Sequence, residues 1–277
     1  MGRRIALACL DFLDDEPEVH VAAAAEAGFD AVTLRVAGSR EPVTGDLGRD
    51  PRRRGRTLAA LRSTGLGVLD VEALRLSTRL SRAEVTAAIE LAAECGAAHL
   101  LVVNTELAPA EAAGRLAAIV EEAAPAGVLP CLEPMVFTRC RTLAEAIAVA
   151  VPAGAGVLVD ALHLYRSGGG VAEVAAAVAT HGDALFPYLQ LCDAPLAAPE
   201  GGMEALRAEA LAARLLPGDG ELDLTGLIAA LPGRAVSVEA PTVTTRGMAP
   251  LDRARAAWSA VATLDRPQQT STVKEAS

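Results

Sequence analysis

Short β-branched or leucine-rich runs alternate with longer Ala/Leu/Glu/Arg segments of helical period along almost the whole chain. That alternation calls for βα units, and successive βα units call for a parallel sheet. Strands are predicted at residues 5–10, 31–36, 67–73, 99–103, 128–132, 156–159, 185–191 and 235–238. Helices are predicted at 18–27, 57–63, 82–95, 109–123, 142–151, 171–179, 224–231 and 251–264. The punctuation agrees. Gly28, Gly65 and Gly96 stand where left-handed helix caps belong, Ser81 with Glu84 reads as a capping box, and Pro109 suits a first helical turn.

Eight strand–helix pairs predict an α/β fold, a single (β/α)8 TIM barrel over residues 1–265, followed by a disordered C-terminal tail over 266–277. A doubly wound open sheet is the alternative. It is disfavoured because Leu10-Asp11-Phe12-Leu13 stands where a GxGxxG would follow the first strand, and no GxxxxGK occurs. Two segments exceed ordinary loop lengths: 38–56, rich in Gly, Pro and Arg, and 192–223, with its own predicted helix at 203–215. Both follow a strand and so belong over the C-terminal mouth, where long loops act as lids or binding loops.

Composition limits the partners. Acidic residues outnumber basic ones 35 to 25, the net charge is −10, and Lys274 is the only lysine, which excludes the electrostatic footprint of a nucleic-acid binder. Low aromatic content, 3%, does not signal disorder here because hydrophobic residues make up 52% of the chain. The apolar run after Arg4 is too short for a signal or membrane segment. Five scattered cysteines without a CxxC pair fit a reduced, cytoplasmic protein.

In a barrel, residues at strand C-termini converge on one face. Those positions hold Glu72, Asn104, Glu133, Asp160, Gln190 and Glu239. Any one of them alone reads as a solvated or salt-bridged group. Together they form an oxygen-rich set whose mutual repulsion a divalent cation would relieve. Arg35, Arg207, Arg214 and Arg246 are candidates for gripping an anionic or hydroxylated substrate, although each singly also suits a solvated face. The run Arg52, Arg53, Arg54 and Arg56 fits an exposed helix start better than an anion clamp. Cys9, Cys131, Cys192 and Trp258 read as core.

These residues carry a resemblance. The segment Ala23-Ala24-Ala25-Glu26-Ala27-Gly28-Phe29-Asp30 belongs to it, with Leu132-Glu133-Pro134, the DxxH from Asp160 to His163, Gln190-Leu191-Cys192-Asp193-Ala194-Pro195, the segment Leu216 to Asp223, and Val238-Glu239. In order they resemble the xylose-isomerase-like TIM barrels. That superfamily holds sugar-phosphate isomerases/epimerases, hydroxypyruvate isomerases, inosose and 3-dehydroshikimate dehydratases, and endonuclease four. The resemblance implies a divalent metal on Glu133, Asp160, Gln190 and Glu239. Many relatives carry His at the position of Gln190, so the all-oxygen shell favours Mn²⁺ or Mg²⁺ over Zn²⁺.

The activity so implied is an isomerase or epimerase of a sugar, sugar phosphate or related polyhydroxy ketone, with proton abstraction next to the carbonyl. Glu133 and Glu239 would be the catalytic carboxylates and His163 a proton carrier or substrate contact. Arg35, Glu72, Asn104, Arg207, Arg214 and Arg246 would contact substrate, and Asp193 would orient the Gln190 amide. Gln followed by Asp-Ala-Pro is also similar to bacterial 3-dehydroshikimate dehydratases, which keeps a metal-dependent lyase as the alternative. A silent barrel binding a small polyol is a third reading. Endonuclease chemistry, which the superfamily implies with several histidine zinc ligands, is disfavoured by the acidic charge and by four histidines of which only His163 is suitably placed. The expected partner is a small polyhydroxylated substrate, with neither nucleic acid nor membrane. The helix at 203–215 is free either to close over the site or to join a homo-oligomer.

Overall fold

Nine strands alternate with helices in a computed structural model that describes residues 3–36 and 46–264. The strands are β1 (Ile5–Leu7), β2 (Ala31–Arg35), β3 (Gly67–Leu76), β4 (His99–Asn104), β5 (Leu129–Glu133), β6 (Gly156–Val157), β7 (Val159–Asp160), β8 (Tyr188–Leu191) and β9 (Ala235–Val238). All pairings are parallel, in the order β6-β5-β4-β3-β2-β1-β9-β8-β7. The two ends of that order, β6 and β7, are halves of one stave on either side of Leu158. The sheet therefore closes into a TIM barrel of eight staves, as the alternation predicts.

Side-chain parity divides the core in two. Leu100 and Val102 of β4 pack outward into the large helix-facing cluster, and Leu101 and Val103 point into the lumen with Ala6, Ala31, Cys131, Leu158 and Tyr188. Strand period two then fixes what lies one layer higher. Two residues beyond Ala31 and Thr33 comes Arg35; beyond Cys131, Glu133; beyond Leu158, Asp160; beyond Tyr188, Gln190; beyond Ser237, Glu239. The parity that fills the lumen thus delivers the polar residues to its rim.

Helices start and stop by the expected chemistry. Ser81 and Glu84 form the capping box of Arg82–Cys95, and Asp50 accepts from the Arg52 and Arg53 amides to cap Pro51–Thr64. Gly28 ends Pro17–Ala27 at φ 105°, where a side chain would be strained and its Cβ would lie 3.4 Å from Trp258.

Several predicted boundaries move. The expected strand 5–10 stops at Leu7 because the Cys9 amide turns to Thr33 Oγ1 (2.9 Å) and Cys9–Phe12 forms a 3-10 turn. The strand expected over 67–73 runs to Leu76, since a bulge between Val71 and Leu74 lets it stay paired with β4. The strand expected over 185–191 begins at Tyr188, after a 3-10 turn at Asp183–Leu185 and then Pro187. A helix at Ala161–Arg166, not predicted, follows β7 directly. The seventh-loop helix spans Gly202–Ala212 and ends before Arg214. The tail 266–277 and much of the expected lid 38–56 lie outside the described residues. No helix among the described residues is long and apolar enough to cross a membrane.

Candidate active site

At the rim of the lumen, Glu133, Asp160, Gln190 and Glu239 are all buried, with exposures from 0 to 5%. Their strands explain why: each is the inward position next above a lumen residue, at the end where the ladder gives way to a loop. Asp160 is also the N-cap of Ala161–Arg166, its Oδ1 accepting from the His163 amide at 2.9 Å. The three-residue spacing of DxxH is therefore cap geometry. It turns the His163 ring toward Glu133, with Nε2 3.9 Å from Glu133 Oε1, and the edge of Phe137 packs against it at 5.3 Å.

Arg214 sits in the middle of this set. Its Nη1 donates to Asp160 Oδ2 at 2.6 Å and to the Glu239 carbonyl at 3.2 Å, and its Nη2 lies 2.9 Å from Glu239 Oε2. A further bond from Nε to the Ala210 carbonyl, 2.8 Å, fixes the guanidinium plane. A buried arginine with this many acceptors is a built element of the site.

The electrostatics follow from this arrangement. Burial acts to raise Asp160, but the charge of Arg214 and the hydrogen bonds from Arg214 and the His163 amide outweigh it and hold the carboxyl below the ordinary range. Burial pushes Glu239 up to about 8, against the pull of Arg214. Glu133 is also pushed up, by burial first and then by the negative charges of Asp160 and Glu239. His163 is driven down to about 4 by burial and so stands neutral at pH 7. The floor thus combines a fixed ion pair with two carboxyls that readily hold a proton, the division of labour that acid–base chemistry requires.

The donor set also suits a divalent cation. Three carboxylates face a single interior guanidinium, and Glu133 Oε1 and Gln190 Oε1 are buried without a hydrogen-bond partner. Ligand atoms of Glu133, Asp160 and His163 lie within 4.8 Å of one another. An unpaired buried acceptor is costly, and a cation would satisfy both. His163 thus offers a nitrogen alternative to the Gln190 amide oxygen, while the Gln190 amide Nε2 donates to Glu239 Oε1 at 3.4 Å.

A cavity of about 230 Å³ opens above the floor, with Glu133, His163, Arg214 and Glu239 among its lining residues. Asp160 and Gln190 lie outside the lining, behind that first layer. Arg35 and Glu72 also face the cavity, paired at 3.8 Å, with Glu72 bonded to Thr33 and to Cys9 Sγ (3.3 Å). Arg207 stands at the wall over the Phe137 ring, 5.9 Å from its centroid.

Three expected site residues go elsewhere. Asn104 spends both ends of its amide on the Leu107 backbone, at 2.9 and 3.0 Å, and does not line the cavity. Arg246 lines a separate small cleft with Asp11 and Thr242. Asp193 has no bond to Gln190; it accepts from the amides of Ala194, Gly218 and Leu222 at 2.8–3.0 Å. Its backbone forms a two-way bridge with Leu215, both bonds 2.8 Å, so Asp193 positions the segment that carries Arg214.

Sequence reasoning missed Arg75, which lines the cavity. Its signal was an arginine inside the apolar Ala73-Leu74-Arg75-Leu76, which the bulge keeps in β3. It also missed Asp11, raised to about 7 by burial, whose carboxylate accepts from the Ala240 amide next to Glu239. The arginine run is structural: Arg53, Arg54 and Arg56 pair with Glu16, Glu94 and Glu18 on neighbouring helices.

Fold and site together define an enzyme-type barrel with its functional groups at the C-terminal rim. Residues 21–261 match the family model for the xylose isomerase-like TIM barrel, and the chain belongs to that family. A search of curated proteins finds no significant match. Among solved structures, a xylose isomerase-like TIM barrel/4-hydroxyphenylpyruvate dioxygenase fusion protein superposes with TM-score 0.77 at 19% identity over 95% of this chain, which spans only 43% of the fusion. The IolI protein with a bound zinc atom gives 0.75 at 16% identity, covering 96% and 98% of the two chains. The 3-keto-D-glucoside 4-epimerase YcjR from E. coli gives 0.66 at 17%, covering 95% and 98%. At these identities the likeness is one of fold.

Proposed function

We propose that the chain is a divalent-metal-dependent isomerase or epimerase of a sugar, sugar phosphate or related polyhydroxy ketone. The observation that carries this reading is the convergence of Glu133, Asp160, Gln190 and Glu239 around two unpartnered buried oxygens. Glu133, Asp160, Glu239 and either Gln190 or His163 would hold the ion. A bound divalent cation would act as a Lewis acid on a substrate carbonyl. Membership of a family with a zinc-holding neighbour and an epimerase neighbour supports the same reading.

The chain's own residues supply the rest. Glu133 on β5 and Glu239 beyond β9 come from staves three apart and so approach a cavity ligand from different sides. Burial raises both carboxyls, so each is a stronger base than a free carboxylate: the ionised one would take the proton from the carbon next to the carbonyl, and the other, in its protonated form, would deliver its own proton to the substrate. His163, neutral and turned toward Glu133, is placed to relay a proton or bond a hydroxyl. Arg214 keeps Asp160 ionised and presents its guanidinium to the ligand from the cavity floor. Phe137 and Met135 exclude water from one wall.

Incubation with a panel of ketoses in deuterium oxide, with Mn²⁺ present, tests this. Deuterium incorporation without loss of water is the expected result. Appearance of an ultraviolet enone chromophore would instead make the protein a dehydratase, and the absence of both across the panel would reject the proposal.

A further inference from the structure

The protein carries a net charge of −10, yet four arginines, Arg35, Arg75, Arg207 and Arg214, line the cavity. Arg214 is matched by Asp160 and Glu239, and Arg35 by Glu72. Arg75 and Arg207 have no carboxylate partner among the described residues.

Both unpaired guanidiniums lie at the wall above the acidic floor. Arg75 is three residues beyond Glu72 on β3, on the order of 10 Å of extended chain. Arg207 comes from the opposite side, on the helix Gly202–Ala212, and rests over Phe137. The positive fields of Arg35 and Arg207 reach Arg75: its guanidinium is held below the ordinary arginine value, by desolvation first and then by those two like charges, which together outweigh the opposite pull of Glu72. Like charges facing one small cavity repel unless a counter-anion joins them.

We propose that Arg75 and Arg207 form a subsite for a terminal oxyanion of the substrate, a carboxylate or a phosphate, whose hydroxylated remainder lies over the carboxylate floor. This rests on the proposed sugar-directed function and narrows it to anionic sugars. The cavity is polarised: acceptors and a cation site at the floor take hydroxyl and carbonyl oxygens, and two donor forks at the wall take the charge. Thr105 and Thr138 line the same cavity, but their hydroxyls donate to backbone carbonyls of Leu76, Met135 and Cys140, which leaves the guanidiniums as the charged donors of the wall. Anchoring the charged end fixes which carbon of the chain stands between Glu133 and Glu239, so the subsite would set the reacting position as well as affinity.

Calorimetric titration in Mn²⁺ buffer with three matched probes, D-glucitol, D-gluconate and D-glucitol 6-phosphate, tests this. The expected result is at least about tenfold tighter binding of one anion than of D-glucitol, the loss per fork being of charge-assisted hydrogen-bond size. The preferred anion identifies the group as carboxylate or phosphate. In Arg75→Gln/Arg207→Gln the ratio of anion to D-glucitol affinity should fall toward one, with circular dichroism unchanged because both side chains are exposed. Equal binding of all three probes, no binding of any, or a ratio that survives the double substitution overturns the proposal. The general function is read separately: deuterium exchange into neutral ketoses without an anion preference would sink the subsite and leave the isomerase. An anion preference without exchange on any ketose would do the reverse.

Discussion

The Arg214 guanidinium lies 2.6 Å from Asp160 Oδ2, and both groups are buried at the centre of the barrel rim. Sequence reading assigns Asp160 to a cation and Arg214 to a substrate, and the structure joins the two. The pair explains how three carboxylates coexist in so little space: Arg214 compensates Asp160 and also meets Glu239 at 2.9 Å, while burial shifts Glu239 and Glu133 toward the protonated form.

Removing the arginine should therefore leave two buried carboxylates uncompensated. Arg214→Met is expected to cost about 3–5 kcal/mol in metal-free buffer, the range for breaking a buried ion pair. Added Mn²⁺ should recover part of the loss by restoring positive charge. Urea unfolding with and without the ion checks both, and a loss below about 1 kcal/mol would show that the pair is not the main electrostatic support of the floor.

The loop that carries Arg214 depends on Asp193. Asp193→Ala strips an acceptor from the amides of Ala194, Gly218 and Leu222. Losing charge-assisted bonds to buried donors should cost about 3 kcal/mol or more. Gly220→Ala should act in the same way, because its Cβ would lie 2.6 Å from the Ala194 carbonyl oxygen. Both variants should lower turnover more than Gly114→Ala, which meets nothing within 4 Å.

A pH effect arises away from the site. His20 is buried, stacked on Phe12 at 4.6 Å, and burial lowers its pKa from 6.5 to about 3. Between those values the unfolded chain binds the proton and the folded chain does not. The stability that His20 contributes is therefore complete above pH 6.5 and is lost as pH falls toward 3. The expected slope is about 1.4 kcal/mol per pH unit from this residue. His20→Gln should flatten the acid limb of a plot of unfolding midpoint against pH; an unchanged limb would assign the acid sensitivity elsewhere.

The arginine run of the second loop should be silent in ligand binding. Arg56 is committed to Glu16 and Glu18 at 2.9 and 2.5 Å. Arg56→Ala should leave affinity for D-glucitol 6-phosphate unchanged in the same titration that Arg75→Gln disturbs. A loss of affinity would place the anion site on that helix.

The barrel was legible because its determinants are local. Strand parity, Gly28 and Gly96 as caps, and the Ser81–Glu84 box act within a few residues, and the same parity places Glu133, Asp160, Gln190 and Glu239 at the rim. What was not legible depends on contacts distant in sequence. The extension of β3 that brings Arg75 to the cavity follows from pairing with β4 across a bulge. Asn104 looks like its neighbours at strand ends, yet a three-residue loop to Leu107 consumes its amide. Asp193 shares its spacing from Gln190 with His163 from Asp160, but a loop some 25 residues further on, at Gly218, decides what it bonds. Such choices lie in tertiary geometry, which no spacing rule encodes.

The central claim is that the oxygen donors at the rim hold one divalent ion. Elemental analysis after dialysis against Mn²⁺ and removal of free metal tests it directly, on the native chain and on Glu133→Gln and Asp160→Asn. One equivalent in the native protein and substoichiometric metal in both folded variants is the predicted result. Native protein that retains no manganese, or variants that retain as much as it does, would contradict the account.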